Sequence, residues 1–65
     1  MRKIIKNMVK CKNCGDILES KDVHDFKKCI CGRVAIDGGT DYLKRISKSP
    51  EDYIELSIIK NIINH

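Results

Sequence analysis

The chain has 65 residues, with 13 Lys and Arg against 9 Asp and Glu, 4 Cys, and only Phe26, Tyr42 and Tyr53 as aromatics. A chain this short makes one small domain that buries only about 60% of its unfolded surface, which leaves no room for a multi-domain enzyme or a large apolar core. The formal charge of +4 is modest, and no run of the sequence reads as a membrane span or signal-peptide core, so a cytoplasmic protein is expected.

In chain order, Ile5, Asn7, Val9 and Cys11 alternate with Lys6, Met8 and Lys10, the period-two pattern of a strand. This strand enters a tight turn, Cys11-Lys12-Asn13-Cys14-Gly15. Asp16 to Ser20 leaves the turn as a second short strand, and Lys21 to Asp25 is a polar connection. Phe26-Lys27-Lys28 then leads into Cys29-Ile30-Cys31-Gly32. Two β-prone runs follow, Arg33 to Asp37 and Thr40 to Ile46, separated by Gly38-Gly39. A Gly-Gly pair between such runs predicts a hairpin, because both residues accept positive φ.

All four cysteines fall in the two turns, with 14 residues between Cys14 and Cys29. Paired cysteines at short spacing, each pair followed by glycine, suit a tetrahedral metal site with four thiolates. Cys11, Cys14, Cys29 and Cys31 are therefore the expected ligands of one structural zinc ion. Iron fits four thiolates as well, and disulfides or free thiols are the weaker alternatives in a reducing compartment. The second pair departs from the usual pattern, being Cys-x-Cys where a zinc ribbon has Cys-x-x-Cys. His24 is the one residue placed to substitute for a ligand, although a lone loop histidine is more often solvated. Four thiolates subtract four charges and one Zn²⁺ returns two, so the formal +4 becomes +2 in the loaded protein. Lys10, Lys12, Lys27, Lys28 and Arg33 flank the turns and offset the site's local charge. Alternatively they form a phosphate-binding patch. A core this poor needs a staple, and the metal supplies it.

Ser49-Pro50-Glu51-Asp52 reads as a helix start: Ser49 as N-cap, Pro50 at the first position, and two acids in the first turn. A helix from about Pro50 to Ile63 would carry two apolar rows, Ile54/Ile58/Ile62 and Leu56/Ile59/Ile63. One thin sheet needs only one such stripe. The expected fold is thus a small metal-stabilised α+β domain: a zinc-ribbon-like antiparallel sheet with two cysteine knuckles over residues 1–47, and an amphipathic helix over 48–65. The second row predicts an association surface at Ile54, Ile58, Ile59 and Ile62, and with it a homodimer.

No catalytic constellation is present in the sequence, since four cysteines close a zinc shell that a catalytic site keeps open. Asp37 and Asp41 flank the Gly-Gly turn and suit turn chemistry better than acid–base work.

The strings Cys11 to Ser20, His24-Asp25-Phe26, Cys29-Ile30-Cys31-Gly32 and Asp37-Gly38-Gly39-Thr40-Asp41-Tyr42-Leu43-Lys44-Arg45 resemble a family of small, uncharacterised zinc-ribbon-like proteins of low-GC Gram-positive bacteria and their phages. The resemblance covers about Lys3 to Ile46. It implies a protein that works by occupying another molecule's surface, with inhibition of a host defence complex as one such task. Asp37, Thr40, Asp41 and Tyr42, on the polar turn, are the expected partner-binding residues. The competing expectation is a nucleic-acid-binding ribbon, supported by the lysines at both knuckles and by Lys44, Arg45 and Lys48. An iron-bearing electron carrier is the third.

Overall fold

A computed structural model describes residues 2–61. The alternating N-terminal run forms the longest element, β1 (Arg2–Cys11). After it come β2 (Ile17–Ser20), β3 (Lys27–Lys28), β4 (Ala35–Asp37) and β5 (Lys44–Ile46). A 3₁₀ turn at Pro50–Asp52 leads into β6 (Tyr53–Glu55) and β7 (Ile58–Asn61). All strand pairs are antiparallel, in two sheets: β2-β1-β6 with β7 also on β1, and β3-β4-β5.

The register on β1 decides what is buried. Val9 faces Leu18 on one side and Glu55 on the other, and Cys11 faces Tyr53. This inner face packs on the second sheet, and Val9, Cys11, Leu18, Cys29, Val34 and Ile36 form the core, with Cys14 and Tyr53 against it. Ile5 shares the alternation but is 43% exposed, because it lies beyond the reach of the second sheet. Asn7 and Ser20, paired across β1 and β2, are the buried polar residues.

The Gly38-Gly39 hairpin forms between β4 and β5, with a longer loop than a two-residue turn. Both glycines have positive φ, 102° and 53°. A Cβ on Gly38 would collide with the Tyr42 carbonyl oxygen, and one on Gly39 with the backbone of Asp22. The loop is thus packed so closely on itself and on the β2–β3 connection that only glycine fits.

The expected C-terminal helix is absent among the described residues, and the fold is all-β, not α+β. The start signal does form: the Glu51 N–H donates to Ser49 Oγ and the Ser49 N–H to Asp52 Oδ2. Only one 3₁₀ turn follows. Two physical reasons account for this. Isoleucine and tyrosine lose χ1 freedom in a helix and fit a pleated surface better. In addition, β2 covers only Asn7–Lys10 on one side of β1, and the whole opposite edge would stand open without β6 and β7. Ile54 lies on β6 beside Lys10, and Ile58 and Ile59 lie on β7 beside Lys6 and Ile4. Ile62 and Ile63 lie outside the described residues. The two helical rows therefore do not exist as rows, and the dimer argument built on them lapses. Residues 53–61 belong instead to the sheet built on β1.

Candidate metal centre

Each cysteine pair sits on a turn closed by the same pair of backbone bonds. In the first turn the Gly15 N–H donates to the Cys11 carbonyl at 2.9 Å and the Cys11 N–H to the Asp16 carbonyl at 2.8 Å. In the second the Gly32 N–H donates to the Cys29 carbonyl at 3.0 Å and the Cys29 N–H to the Val34 carbonyl at 2.9 Å. Gly15 and Gly32 take φ of 80° and 78°, the left-handed conformation that lets each chain reverse after its pair. The shorter Cys-x-Cys spacing therefore still yields a closed turn.

Three further contacts fix the turns. Asp16, just after the first, accepts from the Ile30 N–H of the second through Oδ2 at 2.7 Å. The Lys12 N–H donates to the Asp52 carbonyl at 2.9 Å, which ties the first turn to the 3₁₀ segment. The Val34 N–H donates to Cys29 Sγ at 3.3 Å.

The ligand atoms of Cys11, Cys14, Cys29 and Cys31 all lie within 4.8 Å of one another. Cys31 Sγ is 3.6 Å from Cys11 Sγ and 3.4 Å from Cys29 Sγ. A disulfide requires about 2.05 Å, whereas the edge of a ZnS₄ tetrahedron with bonds near 2.3 Å is about 3.8 Å. The sulfurs are thus spaced for an ion between them and not for bonds to each other, and all four cysteines are free. The arrangement fits the expected four-thiolate metal site. His24 is exposed and is not part of the cluster.

Burial grades across the site: Cys11 and Cys29 are buried, Cys14 is half-buried and Cys31 is exposed. The Asn13 side chain and the Arg33 N–H, helped by the neighbouring thiols, hold the Cys31 thiol down at about 6. At Cys11 the N–H groups of Cys14 and Asn13 also pull down, but burial and the facing thiols of Cys31 and Cys14 push the group up to about 11. Beside Cys31 a cavity of about 530 Å³ opens between the second turn and the Ile46–Ser49 segment.

The expected partner loop is half structural. Asp37 Oδ1 accepts from the Gly38 N–H, which is turn chemistry. The Tyr42 carbonyl accepts from Asn7 Nδ2 at 3.3 Å. Thr40, Asp41 and the Tyr42 side chain are exposed.

Sequence reasoning missed the polar centre behind this loop. Asn7 Nδ2 also donates to the carbonyls of Asp37 at 3.0 Å and Gly39 at 2.9 Å, and Asn7 Oδ1 accepts from Arg45 at 2.7 Å. Arg45 in turn grips Glu55 with two bonds, at 2.9 and 2.6 Å. Ser20 Oγ donates to the Asp25 carbonyl at 2.7 Å and accepts from the Gly39 N–H at 3.0 Å. The signal was present as an asparagine on the inward side of an otherwise apolar alternation.

A family model described as "Domain of unknown function (DUF7695)" matches residues 3–47, and the chain belongs to that family. The match ends before β6 and β7. Neither the curated proteins nor the solved structures give a significant match.

Proposed function

We propose that this chain is a non-enzymatic docking protein: a small domain held by one structural zinc ion that acts by covering the surface of another protein. The observation that carries this reading is the closed donor set. Four thiolates satisfy zinc completely and leave no position for a water or substrate, which is the pattern of a structural site. Zinc is the ion we assign, because four thiolates around a tetrahedral gap suit it. The exposed Thr40–Tyr42 loop and the exposed side chains of Ile17, Ile46 and Ile54 supply surface for a partner. On the resemblance to phage-encoded proteins, the target we assign is a host defence complex.

The nucleic-acid reading rests on the cations around the knuckles. Lys27, one of them, is paired with Asp25 at 3.3 Å, and a zinc tetrathiolate adds two negative charges beside the rest. The test is capture of host proteins on the zinc-loaded chain at physiological salt, with nuclease present, beside a salt titration of binding to random-sequence DNA. We expect a stoichiometric protein partner that survives nuclease. DNA binding that weakens steeply with salt, with no protein retained, would sink the docking reading, since phosphate contacts carry that salt dependence.

A further inference from the structure

The first half of β1 stands apart from the rest of the fold. β2 pairs only Asn7–Lys10, so along Arg2–Lys6 β1 has a single strand neighbour, β7. On the other side no described residue bonds its backbone. Among the described residues the two strands form a ribbon with no third element over either face, which contributes to a molecule 45 Å long and 22 Å across. Isolated two-stranded ribbons are marginal in water. This one nonetheless carries Ile4, half-buried, and Ile5, Ile58 and Ile59, which are exposed.

Charge selects what can cover it. Arg2, Lys3 and Lys6 lie on the open stretch and Lys60 lies on β7, and neither strand contains an acidic residue. Among the described residues none of the four is ion-paired. Lysines on an edge, together with the bulge at Ile4/Lys6, are how proteins prevent an edge from pairing with its own copy. A second copy laid along this edge would set cations against cations. An acidic strand meets the opposite situation: the same lysines attract it, its backbone satisfies the open edge, and its apolar side chains cover the isoleucines. No aromatic side chain lies on the ribbon to stack a base, which sets a protein segment ahead of a nucleic acid.

We propose that Arg2–Lys6 of β1 is a strand-addition site that receives an extended acidic segment of a partner protein. This rests on the docking reading above and names its surface and the chemistry of its target.

The experiment uses the full zinc-loaded chain and four probes: a peptide of alternating Val and Glu, the same peptide with Lys for Glu, the acidic peptide N-methylated along one edge, and a DNA duplex. Binding is followed by backbone-amide NMR shifts and hydrogen exchange. The acidic peptide is expected to shift and protect the amides of Arg2–Lys6. The Lys peptide, and the N-methylated peptide that keeps the charge but loses the backbone bonds, should each bind at least about tenfold more weakly. The K3E/K6E variant should lose the acidic peptide by a similar factor while keeping its metal and the rest of its spectrum. Acidic peptide bound at the Thr40–Tyr42 loop instead would overturn this site and leave the docking reading intact. Duplex bound on the ribbon with no peptide binding up to millimolar concentration would overturn both. Equal binding of the N-methylated peptide would reduce the edge to a charge patch and overturn strand addition.

Discussion

Asn7 joins the two sheets. Its amide donates to the carbonyls of Asp37, Gly39 and Tyr42, and its oxygen accepts from Arg45. The residue is fully buried, so removing its amide strands the buried Gly39 carbonyl and takes one partner from the part-buried Asp37 and Tyr42 carbonyls and from Arg45. Asn7→Leu should therefore cost about 3 kcal/mol, the scale of leaving buried polar groups unpaired. Asn7→Asp is the sharper probe. It keeps the acceptor for Arg45 but turns a carboxylate toward carbonyl oxygens, so it should destabilise at least as much as Asn7→Leu. Denaturant unfolding of the zinc-loaded proteins measures both, and an aspartate variant as stable as the wild type would refute this account of Asn7. The glycines allow a second comparison. Gly15 and Gly38 both have positive φ, but a Cβ on Gly15 meets nothing within 4 Å, whereas on Gly38 it strikes Tyr42. Gly15→Ala should cost about 1 kcal/mol from backbone strain alone. Gly38→Ala should cost clearly more in the same assay, because the loop must open to admit the methyl group.

Arg45 and Glu55 explain how the last strands attach. Glu55 lies on β6 opposite Val9 and stays exposed at the rim of the sheet. It is held there by Arg45 reaching from the other sheet, and Ser57 completes the group. Burial pushes the Glu55 carboxyl up, but the Arg45 guanidinium and the Ser57 hydroxyl outweigh it, and the group stays below its ordinary 4.5. A carboxyl held low in the folded state contributes stability that is fully present above about 4.5 and is lost as the pH falls through the lower folded value. Because solvent screens the half-exposed Glu55, Glu55→Gln should lower stability at neutral pH by no more than about 1 kcal/mol, and the gap to wild type should close in acid. Cadmium-loaded protein is the material for this comparison, since a softer ion stays on thiolates further into acid. A gap that is unchanged between neutral and acid pH would rule out this role for the pair. The same pair shows where sequence was legible. The β1 alternation, the short strand after the first knuckle and the Gly-Gly hairpin follow from local pattern and turn chemistry, and all form. The C-terminal segment has a good helix start, and its isoleucines recur at helical spacing. What decides it is a partner distant in sequence: the open edge of β1 captures β6 and β7, and Arg45 pins Glu55 from the other sheet. Neither can be read from a local window.

At the scale of the whole molecule, the metal site and the apolar core are the same place. Cys11 and Cys29 belong to the buried cluster with Val9, Leu18, Val34 and Ile36, and Cys14 packs against it. Cys11 also starts the register that brings in Tyr53 and the last strands, while Cys29 opens the turn that leads to β4. The clustering of the four cysteines is legible in the sequence because their spacing and glycines are local. Their merger with the core is not, because it depends on the two sheets packing together. The consequence is testable. A few aliphatic side chains, each worth about 1.5–3 kcal/mol when fully buried, cannot offset the conformational entropy of a chain this short. An ion that binds only the folded arrangement adds its binding energy to folding. Purified protein should therefore carry about one zinc per chain. Excess chelator should collapse the dispersed amide spectrum of both sheets together, including β7 on the far side of β1, and added zinc should restore it. Cys29→Ser should act like chelation, since it removes a ligand and a core residue at once. Cys31→Ser, at the exposed corner, should weaken zinc binding yet remain rescuable by excess metal. Dispersed β-sheet resonances that persist in fully metal-free, reduced protein would refute the merger and leave the core standing alone.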